Sequence, residues 1–499
     1  MGRARVRNRG VDVRSPRRQA ALGASMAGTF AIVLCSFCAV LYATGETSSQ
    51  LAKSYAIWIG VGFGISSLLD LQTGVRNLIR ADFLCLACLY FLVLTEFLFP
   101  QEDFDKFIEV EATVPALELF ALAFSCFAIS RHWVKKGVLQ DAAFRFSEVN
   151  VNILVGLYLG CAFLAYLHML LAVNFNVFTM LESMIGPRFA VPWQRGKFGG
   201  WKELLNELGL LFTVIPALAG VLWHLRKRME VWQKLVVLLL FSLTLFHGFC
   251  SGTRNVFAGY LAGFLGAYML THPRLTVLRV FGPGLVVAVL FFWGSYHMLE
   301  FRQIGLKNYL EGEIYASEET RDTLFVDYNL LAIAKMMETF PERADYLGWE
   351  IPMWCVIKPI PRAIWSGKPE GLTTSIEEAM GVEGVTISTT YIGEAYMSFG
   401  VVGVVVFSCI FGVGTAWWNR LGSDTRSTYS VLIFASGLAA FALCMRSMMW
   451  FSTAILPTVA LVVAHRLWMT KEDPRRRRNR HSSPKIAVQP EGEAKISQK

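Results

Sequence analysis

Long uncharged apolar runs set the character of this chain. Twelve stand out: 21–43, 54–71, 79–99, 114–133, 151–173, 204–223, 235–250, 256–271, 275–297, 398–418, 429–445 and 449–468. A run of about 20 apolar residues crosses a hydrocarbon core, and lipid forces it to be helical because its backbone groups find no other partner there. The pattern therefore predicts an all-α polytopic membrane protein with about 12 transmembrane helices. The seventh, eighth and eleventh runs are short, so the count carries a margin of about one or two. The first run is too long for a signal-peptide core and no small-residue cleavage site closes it, so it is expected to remain a helix.

Between the ninth and tenth runs lies one large polar stretch, 298–397. The divisions expected are a basic tail at 1–20, nine helices over 21–297, this loop, three helices over 398–468 and a disordered tail at 469–499. Within the loop, Leu330, Ile333, Ala334 and Met337 recur at helical spacing and predict a helix near 327–339. Residues 351–364 are apolar enough to re-enter the membrane, but Pro352, Pro359 and Pro361 oppose a full crossing.

Charge gives an orientation. The N-terminal tail carries Arg3, Arg5, Arg7, Arg9, Arg14, Arg17 and Arg18, and the C-terminal tail carries Arg475 to Arg478. If the helices alternate strictly, Arg76, Arg80, Arg131, Lys135, Lys136, Arg226, Lys227, Arg228, Arg274, Arg279, Arg420 and Arg426 fall on the same side as both tails. Positive residues favour the cytoplasm, so both termini are expected there and 298–397 on the opposite face, in a bacterial inner membrane. The net charge of +9 is then topology rather than a nucleic-acid signal. Only 17% of residues are charged, against about 25% in soluble proteins.

Candidate chemistry lies on the outward face. Arg254 in Ser251-Gly252-Thr253-Arg254 and Arg446 in the last outward turn oppose the topological bias, as do Arg188, Arg195 and Lys197 in the loop 174–203 and Arg302, Arg362 and Lys368 in the large loop. Guanidinium groups hold phosphate oxygens in a bidentate fork, and a helix starting near residue 256 would add backbone N–H donors. The bland alternative for any one arginine is a lipid headgroup contact. Of ten cysteines, Cys35/Cys38 and Cys85/Cys88 have metal-like spacing. No His or acid partner stands at their depth, so inert buried thiols are expected and no metal site.

Several segments resemble one family. Pro361-Arg362-Ala363-Ile364-Trp365-Ser366-Gly367-Lys368-Pro369 looks like the PR-x-x-W-P-x-KP stretch of the O-antigen and oligosaccharide repeat-unit polymerases (Wzy-type), although Ser366-Gly367 departs from it. Gly393-Glu394-Ala395-Tyr396-Met397-Ser398-Phe399-Gly400 resembles their GE-x-Y-x-x-FG entry into a helix. Ser251 to Arg254 resembles their SG-[ST]-R turn, and Arg188 with Gly199 is similar to their R-x10-G pattern. The resemblance implies a GT-C-like bundle with a large, partly helical periplasmic loop. It also implies a metal- and cofactor-independent glycosyltransferase that moves a growing glycan from undecaprenyl diphosphate to an incoming lipid-linked unit. A polysaccharide chain-length regulator is an implied partner.

On that resemblance Arg254, Arg446, Arg188, Arg195, Arg302, Arg362, Lys368, Ser251, Thr253 and Tyr396 are the expected substrate-binding set. An acceptor hydroxyl would need a base, for which Glu394 is the first candidate and Asp327 the second. The competing role for Glu394 is a structural anchor, and His247 reads as a buried histidine. Two rivals remain. An O-antigen ligase is expected to carry a histidine in the large loop, and 299–397 contains none. A lipid-linked oligosaccharide transporter is expected to show repeats and mid-span charges, and Glu96 and Glu118 lie near span ends.

Overall fold

In the computed structural model, residues 22–134, 146–194, 203–272, 275–312, 326–361, 364–369, 371–381, 388–423 and 427–472 are described. The two tails, up to residue 21 and from 473, lie outside them. Among the described residues the chain is helical throughout, with no strand. The helices are α1 Met26–Tyr42, α2 Ser48–Thr73, α3 Ala81–Val93, α4 Val110–Ser130, α5 Val151–Ala172, α6 Val177–Ile185, α7 Glu203–Leu208, α8 Val214–His224 and α9 Val231–Cys250. They continue with α10 Arg254–Thr271, α11 Val277–Ile304, α12 Leu306–Leu310, α13 Asn329–Thr339, α14 Glu350–Ile357, α15 Ile376–Met380, α16 Thr390–Ser423, α17 Thr428–Arg446 and α18 Phe451–Glu472.

Seven helical stretches are long and apolar enough to cross a membrane: α2, α4, α5, α9, α16, α17 and Met448–Trp468. The other five apolar runs fall on the shorter helices Met26–Tyr42, Ala81–Val93, Gly209–His224, Val256–Thr271 and Val277–Phe291. The chain is thus a helical membrane protein, and a count of twelve crossings belongs to the proposal below. Two compact units divide it, Met1–Thr458 and Val459–Lys499. The first holds α1 to α17 and the start of α18; the described part of the second is the rest of that helix.

Side-chain caps fix several starts. Ser25, Thr47, Asn150 and Ser427 each accept from a backbone N–H in the first turn of α1, α2, α5 and α17, satisfying donors that the helix itself leaves open. Small residues let helices approach. A Cβ on Gly62 of α2 would stand 2.7 Å from the Cys35 Cβ of α1, and one on Gly412 of α16 would collide with Ser130 and Phe127 of α4. Such contacts matter because apolar burial gives helices little reason to associate in lipid. α17 sits at the centre, packed by α3, α8, α10 and α16 and buried along nearly its whole length.

The bundle has two ends. One, called here the loop end, gathers the described parts of 298–397 with the start of α2, the end of α3 and the end of α17. The other gathers the starts of α1 and α3 with the ends of α2, α4 and α16. At that second end Arg80 donates to Asp70 at 2.6 Å and Asp82 at 3.0 Å, and Arg131 to Asp82 at 3.2 Å. Asn419 of α16 donates to Asp82, Arg80 also donates to Gly23 O, and Ser25 N–H donates to Asp70. All four charged side chains are buried, two cations against two carboxylates.

The structure refines three expected spans. The run 79–99 is helical only to Val93, then tightens into a 3-10 turn at Thr95–Leu98 that carries Glu96. The run 204–223 is broken by a 3-10 turn at Gly209–Thr213. α16 begins eight residues before the expected 398, and kinks at Phe399 and Gly400. Gly400 has φ +62, which suits glycine, and a Cβ there would lie 2.8 Å from the Tyr346 hydroxyl.

Candidate functional site

The loop end is built around a turn. α9 ends at Cys250, Ser251 closes it by donating to Gly248 O at 2.8 Å, and Gly252 takes φ +61. Thr253, extended, precedes Arg254, the first residue of α10. The hydroxyls of Ser251 and Thr253 are spent inside the turn, Thr253 Oγ1 donating to Ser251 O and Thr253 N–H to Ser251 Oγ. What the turn presents outward is the Arg254 guanidinium, set beside the positive end of an 18-residue helix.

Arg446, the last residue of the central α17, arrives from another direction. Both arginines meet one carboxylate: Arg254 Nη2 stands 3.2 Å from Asp327 Oδ1, and Arg446 Nη2 3.5 Å from Asp327 Oδ2. The Asp327 side chain is 34% exposed, so solvent reaches this pair of cations. Two positions, 73 and 119 residues from Asp327 in the sequence, are brought to it here.

Asp327 is held in place by unusual backbone. It has φ +88 and Tyr328 φ +45, a region that non-glycine residues seldom occupy and that must be enforced by surroundings. Glu96 supplies one hold, its Oε2 accepting from Val326 N–H at 2.7 Å. Asn329 supplies another, its Nδ2 donating to Leu92 O and Val326 O. Tyr328 donates to Gln101 Oε1 at 3.1 Å and stacks edge-on against Phe104. Glu96, Gln101 and Asn329 were absent from the sequence-based set. Only the first left a signal, as an acid interrupting an apolar run.

Glu394 occupies a different position from Asp327. It is 1% exposed, and its two oxygens accept from the Ser447 hydroxyl and, at 2.6 Å, from Met448 N–H. It therefore fixes the turn that follows Arg446. Ser388 donates to Arg446 O at 2.6 Å and fixes the turn from the other side. Lys358, at the end of α14, stands with its Nζ 3.6 Å from the Trp450 ring centroid. Cys355, in α14, is pushed up to about 12, chiefly by burial, so its thiol stays neutral and unreactive.

Arg188 lies near the Ser251 side of the turn. It stacks over Phe189 and lines a cavity of about 180 Å³ with Trp193, His247, Cys250 and Ser251. Gly305, φ +88, passes against Gly186 and Pro187, where a Cβ would lie 2.6 Å from Gly186 C. Loop 174–203 and the start of the large loop are thereby joined.

Other expected binding residues have different placements. Lys368 Nζ donates to Lys358 O at 2.7 Å and Ile360 O at 2.9 Å, stapling its own loop. Tyr396 is buried, its hydroxyl donating to Phe340 O at 3.3 Å. Arg195 and Arg362, with Gly199, lie outside the described residues, as does the side chain of Arg302.

The geometry defines a helical membrane protein with two arginines and one accessible carboxylate converging under a large loop. No family model, curated protein or solved structure matches the chain.

Proposed function

We propose that the chain is a polysaccharide polymerase of the bacterial inner membrane, with both termini cytoplasmic, twelve crossings in a GT-C-like bundle and the loop end in the periplasm. The convergence of Arg254 and Arg446 at the N-terminus of α10 carries this reading. Two fixed guanidinium groups and helix N–H donors suit a diphosphate whose charge grows as it leaves. In the reaction the acceptor hydroxyl oxygen forms a bond to the anomeric carbon of the growing glycan. The bond from that carbon to the diphosphate oxygen breaks, and undecaprenyl diphosphate departs with the electron pair. The hydroxyl proton passes to a carboxylate and on to solvent. Asp327 suits this role better than Glu394, because it is accessible and adjoins both arginines.

The buried ion network at the opposite end supports an enzyme over a transporter. A transport path through that end would have to break this buried, paired network in every cycle.

The test is a lengthening assay on the purified protein in lipid, supplied with undecaprenyl-diphosphate-linked repeat units. Lengthened lipid-linked chains are expected from wild type and lost with Arg254→Ala. Units that instead cross a liposome bilayer without lengthening would overturn the reading in favour of a flippase.

A further inference from the structure

The large loop contains a helix whose outward side is apolar. Trp349, which caps the start of α14, and Met353 and Val356 within it are 75%, 55% and 72% exposed and follow one another at i, i+4 and i+7. That spacing puts them on one face. The opposite side is packed: Ile351 is fully buried, and the helix rests on α16 and on the 3-10 turn Met448–Trp450. Ile364 and Trp365, just beyond the helix, are also exposed. A water-facing helix does not ordinarily carry such a stripe.

The stripe has a defined level. Leu347 and Gly348 N–H donate to Met397 O and Ser398 O, both at 2.8 Å, and the Trp349 ring lies edge-on to Phe399 at 5.4 Å. α14 therefore starts beside the kink of α16. Directly past that kink, Val401, Val402, Val406 and Ile410 expose an apolar face on a helix long and apolar enough to cross the membrane. The α14 stripe starts at the level of the kink, at one end of that face.

We propose that α14 is an interfacial helix, with Trp349, Met353 and Val356 seated among phospholipid acyl chains of the leaflet on the loop side. Indole and short apolar side chains suit this depth, and Lys358 at the helix end stands where phosphate headgroups begin. The seat also fixes the height of the neighbouring Trp450 and of the 447–449 turn that follows Arg446. This placement is independent of the reaction, and its test needs no activity.

The experiment uses the full chain in phospholipid nanodiscs with no polyprenyl lipid, carrying the photocrosslinker p-benzoylphenylalanine at Met353, Val356 or, as a water-facing control, the exposed Glu342. Phospholipid adducts are expected at 353 and 356, several-fold above 342. Val356→Asp combined with the crosslinker at 353 is expected to lower the lipid adduct several-fold. Equal, near-background yields at all three positions would show a water-facing helix and overturn the proposal. A covalent dimer in place of the lipid adduct would assign the stripe to a second copy. Adducts that form only after polyprenyl diphosphate is added would assign it to the lipid substrate. Either result also overturns the proposal.

Discussion

The two ends of the bundle use the same side chains for opposite purposes. At the end away from the loop, Arg80 and Arg131 share Asp70 and Asp82, every side chain is buried, and Asn419, Ser25 and Gly23 O fill remaining valences. At the loop end, Arg254 and Arg446 both meet Asp327, at 3.2 and 3.5 Å, in reach of solvent. The first arrangement balances its charge and has no room for a ligand. The second leaves its carboxylate, the Asp327 side chain, about a third exposed to solvent. Burial, not residue type, separates the two arrangements.

That contrast is open to direct attack. The largest effect is expected from Asp82→Ala, which takes the buried Arg131 guanidinium's carboxylate away and leaves Arg80 only Asp70, and should cost about 3–5 kcal/mol. Thermal unfolding in lipid checks it; a variant as stable as wild type would break the comparison. Arg254→Ala is expected to lower lengthening by about 10²–10³-fold while costing at most about 1 kcal/mol of stability. Measuring both quantities on one preparation separates a binding role from a folding role.

Asp327→Asn sharpens the contrast further. If the carboxylate takes the acceptor proton, lengthening should fall about 10²–10⁴-fold, while inorganic pyrophosphate binds more tightly because a competing anion is gone. Weaker pyrophosphate binding would mean that Asp327 organises the arginines rather than occupying their site. Glu394→Gln should act more gently. The amide oxygen still accepts one of the two bonds from the 447–448 turn, so a loss of about 1–3 kcal/mol is expected with lengthening reduced but measurable. Complete loss of lengthening at full stability would instead make Glu394 a reacting group.

The membrane character, the helical class and the positions of the apolar segments were legible in the sequence, because length and hydropathy act locally. Arg254, Arg446 and Asp327 also stand out in the sequence as charged residues outside the apolar runs. Their meeting was not legible: it depends on α10, α17 and the segment before α13 reaching one point. The sequence leaves Glu394 open as base or anchor, and its burial against Ser447 and Met448 distinguishes it from Asp327. Tyr396 and Lys368 read as binding residues from their motif, yet their polar atoms are engaged by backbone carbonyls.

By itself, then, the sequence determined that this chain lives in a membrane and where its helices run, since lipid tests each segment separately for apolar length. Tertiary structure alone decided which carboxylate faces the arginines and which is buried. It also closed one end with buried paired charge and brought the start of α14 beside the kink of α16. Those outcomes turn on which distant residues share a small volume, and on whether water enters it.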